Sequence, residues 1–338
     1  MTQITANSLL LLVTLIWGST FVIVKNTIET MGPFTFIAVR FFLAAMVLLV
    51  WHAVRCGLRS RRNRASVGGI AANSAVSPGS SESDFKADSN GGARHSASRR
   101  FYIGGVLAGL ALGFSYAVQT LGLMTVPAGK AAFITGLSVI LVPIGATLLL
   151  KNTPDRAAVI GVLLATIGLG LMSLQFPLNI ASGDLLVLAC AVGFATHILL
   201  VGAYSSEGDP MLFTGIQLLV VALGNGICAV IFERPIVVPA SAWGAIVFTA
   251  LAATSLAFLI QSAVQRYTSA TNTALIFSTE PVFGALSAWL LADEVMKGRE
   301  ILGAAFILVG MLVSELGPAK KKVPTPVSRR AEDRAVDA

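Results

Sequence analysis

Apolar and polar residues follow one another along this chain in long blocks rather than short periods. Ten predominantly apolar stretches of 18 to 23 residues occupy 7–24, 34–53, 102–122, 128–150, 157–174, 183–203, 211–232, 241–262, 271–292 and 299–316. A helix rises about 1.5 Å per residue, so blocks of this length match the ~30 Å hydrocarbon core of a bilayer. They predict ten transmembrane helices, because within lipid each backbone polar group has to be bonded inside the protein. Most connections are short and carry turn residues, as at Met31-Gly32-Pro33, Asn152-Thr153-Pro154 and Gly208-Asp209-Pro210. Two regions break the pattern. Residues 54–100 are rich in Ser, Gly, Ala, Asn and Arg without apolar periodicity, and the tail at 317–338 carries Lys320-Lys321-Lys322 and three prolines. Both are expected to be disordered.

Composition agrees with a lipid setting. The chain is 55% hydrophobic and 12% charged, against about 25% charged in a soluble domain, and its mean hydropathy is +0.80. The net charge of +7 does not point to nucleic acid, because the basic residues sit between the apolar blocks. With the N-terminus inside, eighteen of the 24 Lys and Arg fall in cytoplasmic segments and four in outer loops. That asymmetry favours both termini in the cytoplasm. The first block lacks a basic stretch before it and a small-residue cleavage site after it, so it reads as a retained helix rather than a signal peptide. Cys56, Cys190 and Cys228 have no spacing that suggests a disulfide framework or zinc site, and read as small apolar fillers.

The chain also repeats itself. A shift of 142 residues lays Gln119 on Gln261, Lys130 on Asn272, Gly161 on Gly303 and Gly168 on Gly310. Earlier blocks align at larger shifts, Gly18 on Gly193 and Pro33 on Pro210, and the difference is absorbed by the insertion at 54–100. Each half then holds five spans, residues 1–174 and 175–316. Five is odd, so the second half enters the membrane from the opposite face, an inverted-topology repeat of the kind found in many secondary transporters. The expected fold is an all-α integral membrane protein, ten transmembrane helices in two inverted five-helix repeats around a central cavity.

Four segments resemble the drug/metabolite transporter superfamily, specifically its EamA-type ten-helix members. They are Trp17-Gly18-Ser19-Thr20-Phe21, the Pro33 to Leu43 stretch with Arg40-Phe41, Glu280-Pro281-Val282-Phe283 followed by Leu291-Ala292-Asp293-Glu294, and Gly303 with Gly310. The likeness covers almost the whole chain apart from 54–100 and the tail. It implies export or exchange of small solutes across the cytoplasmic membrane by alternating access, with spans one, three, four, six, eight and nine lining the path. The length of the insertion and Lys130, where small polar residues are usual, are departures from it.

Candidate path residues follow from depth and chemistry. Glu280 is the tenth residue of its span, about 14 Å into the bilayer, where a carboxylate marks a functional site by default. It reads as a protonatable or cation-binding group, or else as a carboxyl neutralised by packing. Pro281 beside it frees a backbone carbonyl in the preceding turn. His197 lies well inside span six and suits either proton coupling or a neutral hydrogen-bonded role. Arg40, about 10 Å deep, reads first as structural and second as a partner for substrate charge. Lys130 sits near the start of span four, placed either to snorkel outward or to attract an anionic solute. Gln119 and Gln261 offer uncharged donors and acceptors, and the alternative for them is interhelical bonding. Trp17, with Thr20 one turn on, is mid-span and suits a cavity wall, and Asn272 is the repeat mate of Lys130. Gly105, Gly109 and Gly113 read as helix-packing positions.

No cofactor or metal is expected. Among the three histidines, His95 lies outside the spans and His52 at an edge, so no metal triad assembles. The expected activity is secondary, non-ATP-driven transport of a small metabolite, amino acid or drug, as an exporter or exchanger with proton coupling, and not enzymatic. The sequence leaves monomer and dimer open. The rival is a membrane receptor or scaffold that recruits partners through the 54–100 loop. Deleting the centre of that loop separates the two: transport measured in proteoliposomes survives the deletion if the protein is a carrier and is lost with partner binding if it is a scaffold.

Overall fold

The computed structural model describes residues 1–28, 30–73, 99–126, 128–151, 153–174, 182–292 and 296–316. Every regular element among them is helical. In chain order these are α1 (Gln3–Ile28), α2 (Pro33–Asn73), α3 (Arg99–Leu123), α4 (Ala128–Gly136), α5 (Ser138–Leu150), α6 (Arg156–Ser173), α7 (Ser182–Tyr204), α8 (Pro210–Phe232), α9 (Trp243–Phe248), α10 (Ala257–Val264), α11 (Ala270–Phe277), α12 (Glu280–Ala292) and α13 (Gly298–Leu316). A π-helical stretch, Thr249–Leu256, joins α9 to α10 in one rod. Helix α2 runs on to Asn73, past the end expected at 53. Residues 74–98, the tail and the Asp293-Glu294 pair lie outside the described residues.

Among the described residues, eight helical stretches are long and apolar enough to cross a bilayer: Gln3–Thr20, Pro33–Arg59, Arg99–Leu123, Lys130–Leu150, Arg156–Ser173, Ser182–Glu207, Pro210–Phe232 and Ala240–Tyr267. The other two expected spans differ for visible reasons. The stretch over 271–292 is split between α11 and α12, and α13 carries Arg299, Glu300 and Glu315 near its ends. Large apolar side chains such as Leu148, Leu149 and Ile227 face outward, while Arg40, His197, Gln217 and Gln261 are buried. That is the reverse of a water-soluble protein and fits a surface solvated by lipid.

The break between α11 and α12 has a local cause. Pro281 lacks the N–H that would continue the ladder, and near the start of α12 its fixed backbone angle suits a new helix. The Ser278 and Thr279 hydroxyls donate to the Leu275 and Ile276 carbonyls, at 2.6 and 2.7 Å. Span four breaks too, between α4 and α5 at Leu137. The bonds there recur at the later break. Leu137 N–H donates to Ile134, and the N–H groups of Ile140 and Leu141 donate to Leu137; 142 residues on, Thr279 donates to Ile276, and Val282 and Phe283 donate to Thr279. Each span therefore takes up i−3 bonds at the same place, alongside i−4 bonds such as those from Leu137 to Phe133, Leu141 to Leu137 and Phe283 to Thr279.

Helix α6 packs along α13 through glycine. A β-carbon added to Gly161 would lie 2.5 Å from the Gly310 carbonyl oxygen, and one on Gly168 would lie 2.5 Å from that of Gly303. The rising and falling numbers make the helices antiparallel, with their backbones in contact. Elsewhere α3 packs on α7 and α8, α2 on α8, and α1 on α12. Charge fixes several ends. Glu233, just after α8, accepts from the N–H groups of Phe34 and Thr35 at 2.7 and 2.8 Å and from the Thr35 hydroxyl at 2.8 Å. A carboxylate here satisfies free donors of α2 and sits at the positive end of its dipole. Asp155, Asp209 and Ser269 cap α6, α8 and α11 in the same manner from their own loops.

The glycine seam makes a sharp expectation. Gly168→Val forces a methyl group into a backbone carbonyl and costs about 1–3 kcal/mol of stability. Gly244→Ala, where nothing lies within 4 Å of the added carbon, leaves stability unchanged or raised. Thermal unfolding of the purified proteins in detergent measures both.

Candidate functional site

The centre of the protein is a polar cluster walled by aromatic rings. Its position follows from the π-helical stretch in the α9–α10 rod. π-turns bond one residue farther along than α-turns and loosen the ladder, and here the Ala253 carbonyl accepts from two side chains outside its helix. Trp17 Nε1 donates to it at 2.8 Å, and an Arg40 terminal nitrogen approaches it at 3.4 Å. Arg40 Nε also donates to Thr254 Oγ1 at 2.6 Å. The guanidinium lies over the rings of Phe36 and Phe41, 5.9 and 5.6 Å from their centroids. Arg40 is 5% exposed, so hydrogen bonds and ring faces stand in for the water it has lost.

The rings form a chain. Trp17 packs edge-on against Phe277 at 5.0 Å and tilted against Phe258 at 5.4 Å. Phe258 touches Phe41, Phe41 touches Tyr116 at 5.0 Å, and Tyr116 touches Phe194 at 5.5 Å. His197 stands edge-on to Phe258 at 5.8 Å. Its Nε2 lies 2.8 Å from Gln217 Oε1, and Gln217 Nε2 donates onward to Ser262 Oγ at 3.1 Å. Because an amide oxygen only accepts, His197 Nε2 carries the proton in this arrangement. Gln261 Nε2 donates to Gln265 Oε1, and Gln265 Nε2 donates in turn to the Ile198 carbonyl at 2.6 Å. The Gln261 Oε1 is buried and has no hydrogen bond among the described residues.

Glu280 opens α12 immediately after the break and is half-buried. Its carboxylate has no hydrogen bond or ion pair among the described residues. It is close enough to Tyr116 and Cys190 to act on both electrostatically. A second short chain leads to the same place: Gln119 Nε2 donates to Thr135 Oγ1 at 3.3 Å, and Thr135 lies 4.0 Å from Cys190 Sγ. Helix α1 closes on this turn so tightly that a β-carbon on Gly18 would come within 2.9 Å of the Glu280 carbonyl oxygen.

Trp17, Arg40, Gln119, His197, Gln261 and Glu280 thus fall in or beside the central cluster. The other candidates lie elsewhere or are locally engaged. The Thr20 hydroxyl bonds its own helix at the Trp17 carbonyl. Lys130, in the first turn of α4, makes an ion pair with Asp184 in the first turn of α7, at 2.5 Å. Asn272, in the first turn of α11, accepts from Ser314 near the end of α13 at 3.2 Å, beside a bond from Asn7 to Glu315. Sequence reasoning missed Tyr116, Phe258, Gln217 and Cys190. A signal for two of them was present: the shift that lays Gln119 on Gln261 also lays Tyr116 on Phe258, one turn away.

Helices with a lipid-facing apolar surface and a buried polar centre define a multi-pass membrane protein. Residues 4–79, 88–174 and 181–316 match the EamA-like transporter family, and the chain belongs to that family. It is 30% identical to an uncharacterized transporter of Archaeoglobus fulgidus over 307 residues, 91% of this chain and 84% of that protein. It is 24% identical to the uncharacterized transporter YyaM of Bacillus subtilis, over 88% of this chain and 89% of the other. A solved crystal structure matches with a TM-score of 0.69 across 97% of this chain and 99% of that one, at 17% identity, and shares the fold.

The Lys130–Asp184 pair supplies an energetic test. Its side chains are 20% and 10% exposed, so removing one charge leaves the other poorly solvated. Lys130→Met is expected to cost about 3 kcal/mol, and the Lys130→Met/Asp184→Asn double variant to recover most of it. A double-mutant cycle by thermal unfolding in detergent reads the coupling.

Proposed function

We propose that this protein is a secondary transporter of ten spans, built as two inverted five-helix halves. It moves a small metabolite or drug across the cytoplasmic membrane by alternating access, as an exporter or exchanger, with both termini in the cytoplasm. The observation that carries this reading is the pair of broken spans. Spans four and nine tighten at positions 142 residues apart through the same three backbone bonds, and the second break delivers a carboxylate with no hydrogen bond or ion pair among the described residues into an aromatic centre. Discontinuous helices at matching places in two halves are the usual sign of a transport site.

The glycine seam gives independent support. In this reading a two-fold axis in the membrane plane exchanges residue i with residue i + 142. Under that exchange the contact of Gly161 with Gly310 becomes the contact of Gly303 with Gly168, which is the second contact of the seam. The ion pair of Lys130 with Asp184 and the bonds of Asn272 with Ser314 and of Asn7 with Glu315 then lie toward opposite faces. They suit the two closures that an alternating-access cycle needs.

Glu280 is the substrate- or proton-binding group in this reading, with His197 second and Trp17, Gln119 and Gln261 around the path. Arg40 holds the π-helical turn. Transport in proteoliposomes is expected to saturate and to show counterflow, which separates a carrier from a channel. Glu280→Gln is expected to abolish the dependence of the transport rate on pH while the protein stays folded. A Glu280→Gln protein with an unchanged pH profile removes Glu280 as the coupling group.

A further inference from the structure

Away from the central cluster, three reactive side chains meet where α2 leaves the membrane. His52 and Cys56 are one turn apart on α2, and Cys56 Sγ lies 3.6 Å from His52 Nε2. The other ring nitrogen, Nδ1, is buried and makes no hydrogen bond among the described residues. It faces Asp209 Oδ2 at 3.4 Å, across the start of α8. Asp209 is itself held, because its other oxygen accepts from the Met211 N–H at 2.8 Å as the cap of α8. Cys56 is exposed. Arg55 and Arg59 flank it on α2, and the Arg55 guanidinium contacts Met211 Sδ at 3.9 Å.

Each part has a chemical consequence. A carboxylate opposite Nδ1 favours the proton on that nitrogen, which leaves the Nε2 lone pair facing the thiol. A base beside a thiol, with a third group orienting the base, is the arrangement that activates a nucleophile. The two arginines place positive charge beside the exposed sulfur, which draws in an anionic disulfide. Cys190, by contrast, is buried in the core, with the Thr135 hydroxyl 4.0 Å from its sulfur.

We propose that Cys56, His52 and Asp209 form a thiol-modification site at the polar end of α2, whose reactant is a small soluble disulfide. The Cys56 proton passes to His52 Nε2. The thiolate attacks one sulfur of the disulfide R–S–S–R, the S–S bond breaks, and Cys56–S–S–R forms. The departing R–S⁻ takes the proton back from the imidazolium and leaves as a thiol. One disulfide is exchanged for another, and no further oxidant enters. Neither the reaction nor its test depends on what the protein transports.

The test uses the full-length protein in lipid nanodiscs at neutral pH, with oxidised glutathione as the probe and peptide mass spectrometry as the readout. Cys56 is expected to form the mixed disulfide about tenfold faster than free cysteine in the same solution, and His52→Gln to remove that advantage. Asp209→Asn is expected to lower the rate in the same direction. A Cys56 rate no greater than that of free cysteine overturns the proposal, as does a rate in His52→Gln within about twofold of the unaltered protein. Labelling of the detergent-denatured proteins has to be equal across variants, so that the differences belong to the folded site.

Discussion

A polar group taken out of water has to find its partner inside the protein, and at the centre of this fold one backbone carbonyl meets much of that demand. The Ala253 oxygen is accessible because its stretch of helix is π-helical. It receives the Trp17 indole and an Arg40 nitrogen together. Those two bonds draw α1 and α2 onto the α9–α10 rod. The ring chain then builds outward from Trp17 through Phe258 to Tyr116, and His197, Gln217 and Ser262 complete the far side. Burial of a guanidinium without a carboxylate is tolerable here only because hydrogen bonds and ring faces surround it.

Glu280 stands apart from that economy. Most of the polar groups around it are bonded to one another, whereas its carboxylate has no hydrogen bond among the described residues. Within the proposed transport cycle this is the useful condition, since a carboxylate already bonded to the protein would have to give up that bond before it could take a proton or a substrate amine. Its place at the first residue of α12 follows from Pro281, so the same residue that ends the ladder also sets the depth of the charge.

Much of the fold was legible in the sequence, and the limits have physical reasons. Blocks of apolar residues gave the positions of the helices, because bilayer thickness dictates their length. The two breaks were not read as breaks, although Pro281 was recognised as a source of a free carbonyl. The break at Leu137 has no proline at the corresponding position and left no mark in composition. The extension of α2 to Asn73 was missed because Arg-rich sequence without an apolar face reads as loop, while helix propensity alone can carry it beyond the membrane. Among the site residues, depth picked out Trp17, Arg40, His197 and Glu280, since charge and aromatic amphipathicity are costly mid-span. Lys130 was recognised as unusual, but its partner Asp184 was not, because a pair joined across two helices is invisible to spacing along one. Phe258 and Tyr116 look like ordinary apolar filler unless the repeat is followed position by position.

The carboxylate of Glu233 sits 199 residues downstream of the Phe34 amide that it caps. During synthesis α2 therefore emerges long before its cap exists. At about 5–20 residues per second the interval is roughly 10–40 s. Throughout that time the opening turn of α2 has only water or lipid headgroups for its free amides. The nascent chain thus carries an unfinished helix end until the seventh span has left the ribosome, and a truncated product that stops short of Glu233 never acquires it.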